Sequence, residues 1–135
     1  MPSDHGFIEF QEVTKRFADH RDAPIDVVEP LTLSIARGEF VVFVGPSGCG
    51  KTTVMRMVGG LETPSEGAIA LQGREITGPS REKGMVFQAY SSFPWLTVLG
   101  NVRFGLRYRR DLTAAQKDRI ARHYLELVKL TPFAD

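Results

Sequence analysis

The chain has 135 residues, 42% apolar and 24% charged, and its 17 Lys plus Arg against 16 Asp plus Glu leave a net charge of +1. That is the length of one domain or part of a larger one, with a globular rather than disordered composition and no clustered basic excess that would predict a nucleic-acid partner. The single cysteine, Cys49, excludes an internal disulfide framework.

The first predicted element is a strand over Phe7 to Phe17 (FIEFQEVTKRF), where Phe7, Phe10 and Val13 alternate with polar residues and an irregularity is expected near Gln11. Residues 18–24 are polar and turn-like. Ile25 to Ile35 is again β-rich but interrupted by Pro30, which predicts an edge strand with a bulge or break. Arg37-Gly38 then turns the chain into FVVFV at 40–44, a uniformly apolar run typical of a strand buried on both faces of a parallel sheet.

Val54, Met55, Met57, Val58 and Leu61 are spaced for a short buried helix over Thr52 to Leu61, weakened at its end by Gly59-Gly60. After a turn at 63–67, Ala68 to Leu71 and Gly84 to Phe87 predict two more short strands. From Thr97 the pattern becomes helical. Thr113 with Gln116 makes a capping-box signature, Ile120, Tyr124, Leu125 and Val128 share one helical face, and Thr131-Pro132 ends the helix. That face needs an apolar surface to cover it. No repeat or low-complexity tract is present.

Chemistry concentrates between the apolar run and the first helix. Gly45-Pro46-Ser47-Gly48-Cys49-Gly50-Lys51-Thr52 fits G-x-x-x-x-G-K-[ST] without a mismatch, and Thr53 follows it. Successive backbone N–H groups curled round a phosphate chain form an anion-binding nest, which side chains at Gly48 and Gly50 would obstruct. The helix starting near Lys51 adds unpaired N–H groups and a positive dipole end. Lys51 brings a mobile ammonium to the β- and γ-phosphates, and the Thr52 hydroxyl suits Mg²⁺, a hard cation that prefers oxygen ligands. Cys49 reads in two ways: a small residue tolerated in a tight turn, or a thiol made reactive by the helix start and Lys51.

The stretch GPSGCGKTTVMRMVGGL, with the later EGAIALQGREITGPSREKGMVFQAYSSFPWLTVLGNVRFGL, closely resembles the ATP-binding subunits of ABC transporters, most of all the nitrate/sulfonate/taurine importer type. The resemblance runs from about Phe7 to Asp135. It implies an α/β fold: a P-loop NTPase core with an N-terminal antiparallel β subdomain over about 7–90, and the start of a helical subdomain over about 91–135. It implies ATP and Mg²⁺ as ligands, with Gly45, Pro46, Ser47, Gly48, Cys49, Gly50, Lys51, Thr52 and Thr53 holding the triphosphate. Phe17 matches the aromatic that stacks on adenine, and Gln88 the glutamine that meets Mg²⁺ or the attacking water and senses the membrane subunit.

By the same resemblance, Ser91 to Asn101 lies beside the transmembrane permease subunit. Phe93, Trp95 and Leu96 there suit either an interface or a core. His5, His20 and His123 lack ligand-like spacing and read as surface residues. The remaining partner implied is a second ATPase subunit in a head-to-tail dimer.

The N-terminus has no secretory leader pattern, and no apolar run approaches the ~18 residues of a membrane span. A cytoplasmic protein is therefore expected, with no direct membrane insertion, held peripherally at the inner face of the cell membrane through the permease.

The resemblance also marks what these residues do not contain. There is no LSGGQ-like signature, no apolar strand ending in Asp-Glu, no following D-loop and no switch histidine. The sequence is thus expected to be the nucleotide-binding front part of the ATPase subunit that energises an importer for a nitrate-, sulfonate- or taurine-like solute, either a fragment or a truncated reading frame, with weak Mg-ATP binding at best and no steady-state hydrolysis by these residues alone. It is expected to be marginally stable, with apolar surface exposed. The competing readings are a non-catalytic module that holds nucleotide or permease, and a different P-loop enzyme such as a small-molecule kinase.

Overall fold

The computed structural model describes residues 6–18, 23–89 and 92–135. His5, His20, Tyr90, Ser91 and most of the predicted turn after Ala18 lie outside the described residues. The chain divides into two compact units, Met1–Met85 and Val86–Asp135.

The first unit is built on an antiparallel sheet. Strands β1 (Ile8–Ala18), β2 (Pro24–Ile35), β3 (Glu66–Leu71) and β4 (Arg74–Glu75) lie in the order β2-β1-β3-β4. Strand β1 bulges where the interrupted alternation predicts: Glu12 has φ 47°, and the register against both neighbours shifts between Phe10 and Val13–Thr14. Strand β2 is an edge strand and runs through Pro30. Three residues of β2 span Leu31 to Val28 while β1 advances two, from Val13 to Lys15, so the proline sits in a bulge and the ladder keeps its direction.

Helix α1 (Lys51–Gly59) packs on this sheet. Val54 and Met57 join Phe10, Val13, Val28, Ile69, Leu71 and Ile76 in the buried core. The helix is buried on one stripe only, since Met55 and Leu61, counted in the predicted buried face, are about half exposed.

The largest departure from the sequence reading is at FVVFV. Residues 40–44 form no strand, and Phe40 and Val44 are each 90% exposed. Gly84 to Phe87 likewise forms no strand, and Val86 is 98% exposed. A strand of a parallel sheet exists only through its neighbours' N–H and C=O groups, and among the described residues neither run has a ladder partner.

The second unit holds α2 (Val98–Phe104), α3 (Ala114–Leu127) and a 3₁₀ turn at Thr131–Phe133. The predicted capping box is present: the Thr113 N–H donates to Gln116 Oε1 at 2.7 Å, and the Gln116 N–H donates to Thr113 Oγ1 at 3.3 Å. The helix buries Ala121 and Leu125, one turn apart. Tyr124 and Val128, assigned to the buried face with Leu125, are exposed instead, so that expectation was wrong in its centre by about one residue of rotation. Arg103 pairs with Asp118 at 2.9 Å, tying α2 to α3.

Candidate functional site

The glycine loop leads directly into α1. Its two inner glycines take left-handed backbone, with φ of 84° at Gly48 and 88° at Gly50. A Cβ on Gly50 would lie 2.5 Å from the Val27 carbonyl oxygen and 3.2 Å from Val28 Cγ2, so the helix start rests on β2 at a distance only glycine permits. Gly48 is the opposite case, with open space where its Cβ would stand. It keeps the mouth of the loop clear. No side chain caps α1, so its first N–H groups are available to an anion.

The Lys51 ammonium folds back across the loop. It donates to the carbonyl oxygens of Gly45 at 2.7 Å and Pro46 at 2.6 Å, and lies 3.3 Å from Cys49 Sγ. Those carbonyls and an incoming phosphate compete for the same three N–H donors. Cys49 is exposed, and its sulfur would meet a Cβ on Gly45 at 2.7 Å, so the two residues close the base of the loop. Pro46, Ser47 and Thr52 are exposed, and Thr53 is half-buried.

Phe17, a residue 40% exposed, stands at the end of β1, opposite Ile25 on β2. Val13, Lys15 and Phe17 alternate along one side of the strand, and Lys15 is buried there. Its ammonium donates to Glu62 Oε1 at 2.7 Å and to the Thr63 carbonyl at 2.8 Å, and lies 4.8 Å from the centre of the Phe17 ring. The Lys15 hydrogen bond holds the Glu62 carboxyl below its ordinary range, against the opposing effect of burial. Neither Lys15 nor Glu62 was singled out in the sequence, although a lysine on the apolar side of a strand is itself a signal.

Gln88 lies in an exposed bend of the second unit. Asn101 is a residue the sequence reading passed over. Its amide oxygen accepts from the Phe93 N–H at 2.7 Å, and its amide nitrogen donates to the carbonyls of Phe93, Leu96 and Thr97 at 3.0–3.2 Å. The loop before α2 is therefore wrapped round one side chain. Within it Phe93 is half-buried against Phe104, ring centres 4.4 Å apart, while Trp95 is 76% exposed. His123 is exposed, as expected.

A glycine loop with left-handed Gly48 and Gly50, followed by a lysine at the start of a helix, has the form of a P-loop. The family follows from sequence. The family described as ABC transporter matches residues 28–135, and the chain belongs to it. The nitrate import ATP-binding protein NrtD of Synechocystis sp. is 40% identical over 130 residues, covering 95% of this chain and 47% of NrtD. The Fe(3+) ions import ATP-binding protein FbpC of Photorhabdus laumondii is 42% identical over 132 residues, 96% of this chain and 36% of FbpC.

Among solved structures, the ATP-binding cassette MJ0796, a dimer bound to ADP and Pi, superposes with a TM-score of 0.81 at 29% identity, over 94% of this chain and 60% of that one. The fold is thus that of an ABC ATPase cassette, present in part. The chain spans less than half the length of the two curated relatives.

Proposed function

We propose that this chain binds Mg-ATP as the nucleotide-holding front part of the ATPase subunit that energises an ABC importer. The observation that carries the reading is the loop mouth: φ above +80° at Gly48 and Gly50, an α1 start without a side-chain cap, and the Lys51 ammonium already inside. Gly45 to Thr53 would cradle the triphosphate, Lys51 exchanging the carbonyls of Gly45 and Pro46 for phosphate oxygens. Phe17 would carry the adenine on its exposed face.

Mg²⁺ fits as a companion of the nucleotide. No cluster of three or more His, Cys, Asp or Glu side chains is placed for a metal among the described residues. Thr52 Oγ1 is an oxygen donor of the hard kind the ion takes, and the phosphates supply others. Bound there, the ion would neutralise phosphate charge. In this reading residues 7–90 form the β subdomain and P-loop core and 91–135 begin the helical subdomain. Gln88 and the Trp95 loop face the permease, and a second ATPase subunit completes the site.

No helix among the described residues is long and apolar enough to cross a membrane. Attachment to the inner face of the membrane would therefore run through the permease. A nitrate-, sulfonate- or taurine-like solute is favoured by the likeness to NrtD. The likeness to an iron import protein at similar identity shows how weakly this region encodes that choice.

Photolabelling with an azido-ATP tests the site. Labelling chased by Mg-ATP and by tripolyphosphate, but not by AMP, is the expected pattern. Labelling that AMP removes as well would contradict a triphosphate grip. In the same preparation, steady-state phosphate release should be absent; release that disappears in Lys51→Ala would show that these residues suffice for turnover.

A further inference from the structure

We propose that Lys15 is a positioning residue for base recognition. Its buried ammonium backs one face of Phe17 and, through Glu62 and Thr63, fixes that ring relative to the helix that carries the phosphate loop. The inference deepens the nucleotide reading and rests on it.

Three contacts carry it. Lys15 Nζ lies 4.8 Å from the Phe17 ring centre, within the range of cation–π attraction. The same nitrogen donates to Glu62 Oε1 at 2.7 Å and to the Thr63 carbonyl at 2.8 Å. Both acceptors lie in the segment that leaves α1, whose first residue is Lys51. That segment is further stitched to β1, with the Ser65 N–H donating to the Thr14 carbonyl at 2.8 Å and the Arg16 N–H to Ser65 Oγ at 2.9 Å.

A nucleotide held at both ends needs its base platform and its phosphate cradle in fixed register, because misplacement at one end costs binding at the other. Lys15 joins the two. With the ammonium on one face, the ring has a single face left for a purine, and its π density is drawn toward the cation. A buried ammonium with a carboxylate partner is also a sufficient core ion pair without any such role, so the test must separate the two.

The test compares Mg-ATP with tripolyphosphate, which has the phosphates but no base, by calorimetric titration of wild type, Lys15→Met, Lys15→Arg and Phe17→Leu. Lys15→Met should weaken Mg-ATP roughly three- to tenfold, the scale of a partly desolvated cation–π contact, with tripolyphosphate unchanged within about twofold. Lys15→Arg should restore most of the loss. In the Phe17→Leu background, Lys15→Met should add nothing. Tripolyphosphate binding also reports that each variant is folded.

Equal losses for both ligands would reduce Lys15 to a structural ion pair and overturn the proposal, as would Mg-ATP binding unchanged in Lys15→Met. A different failure marks the underlying reading. Wild type that ignores tripolyphosphate sinks the phosphate loop itself. Wild type that binds both ligands equally sinks Phe17 as a platform, and either result removes the basis for Lys15.

Discussion

Two apolar, β-rich stretches of this chain have opposite fates. Phe10 and Val13 of β1 are essentially inaccessible to solvent, held between β2 and β3 and covered by α1. Residues 40–44, richer still in Phe and Val, form no strand and leave Phe40 and Val44 90% exposed. The difference is not propensity, since both runs consist of residues that favour strands. It is pairing. β1 has an antiparallel partner on each side, β2 and β3, while 40–44 has none among the described residues. Strand character is a property of a ladder, and a sequence run can only apply for it.

The sharpest way to probe the contrast is to remove one large side chain from each stretch. Phe10→Ala should cost about 3–5 kcal/mol, the usual penalty for emptying a buried aromatic site, read from urea unfolding. Val44→Ala should stay within about 0.5 kcal/mol, as surface substitutions do. Comparable losses at the two positions would mean that 40–44 is packed after all.

A capped helix offers an intermediate case, in which local side chains replace a missing neighbour. Thr113→Ala removes the acceptor for the Gln116 N–H and should cost about 1 kcal/mol of stability, with reduced helicity in the second unit. Thr113→Ser should recover most of it.

Acid tests the paired region from another side. Glu62 is held below its ordinary range by Lys15, so it releases its proton more readily folded than unfolded. Its stabilising contribution is therefore complete above the unfolded value near 4.5 and is lost as the pH falls through the lower folded value. Glu62→Gln should flatten that part of the stability curve below about pH 4.5, leaving the neutral range without further slope. The smallest effect on stability, and a visible one on solubility, is expected of Val42→Lys. A charge on an exposed apolar run should raise the monomer fraction in size-exclusion chromatography while moving the melt by less than about 0.5 kcal/mol.

The sequence was most legible where the deciding interactions are local. The β1 irregularity near Gln11, the edge position of β2 and the Thr113–Gln116 box all follow from residues within a few positions of each other, and the structure has all three. It was least legible where a distant partner decides. FVVFV and Gly84–Phe87 read as strands because their composition assumes neighbours.

The predicted face of α3 assumed a stripe through Tyr124 and Val128, yet in the folded second unit, where α3 meets α2 and the 3₁₀ turn, Ala121 and Leu125 are the buried pair. For the candidate site, the pattern of glycine, lysine and threonine from Gly45 to Thr53 marked the loop, and the left-handed backbone expected at Gly48 and Gly50 is there. Lys15 was not legible, because its meaning arises only when β1 brings it under Phe17 and beside Glu62.

The central claim is that main-chain donors and one ammonium grip a triphosphate. Titration of Mg-ATP into the folded chain, with Lys51→Ala beside it, tests that claim most directly. Saturable one-to-one heat in the wild type, weakened at least tenfold by the substitution, is the predicted result. No heat in the wild type, or the same affinity in both proteins, would contradict it.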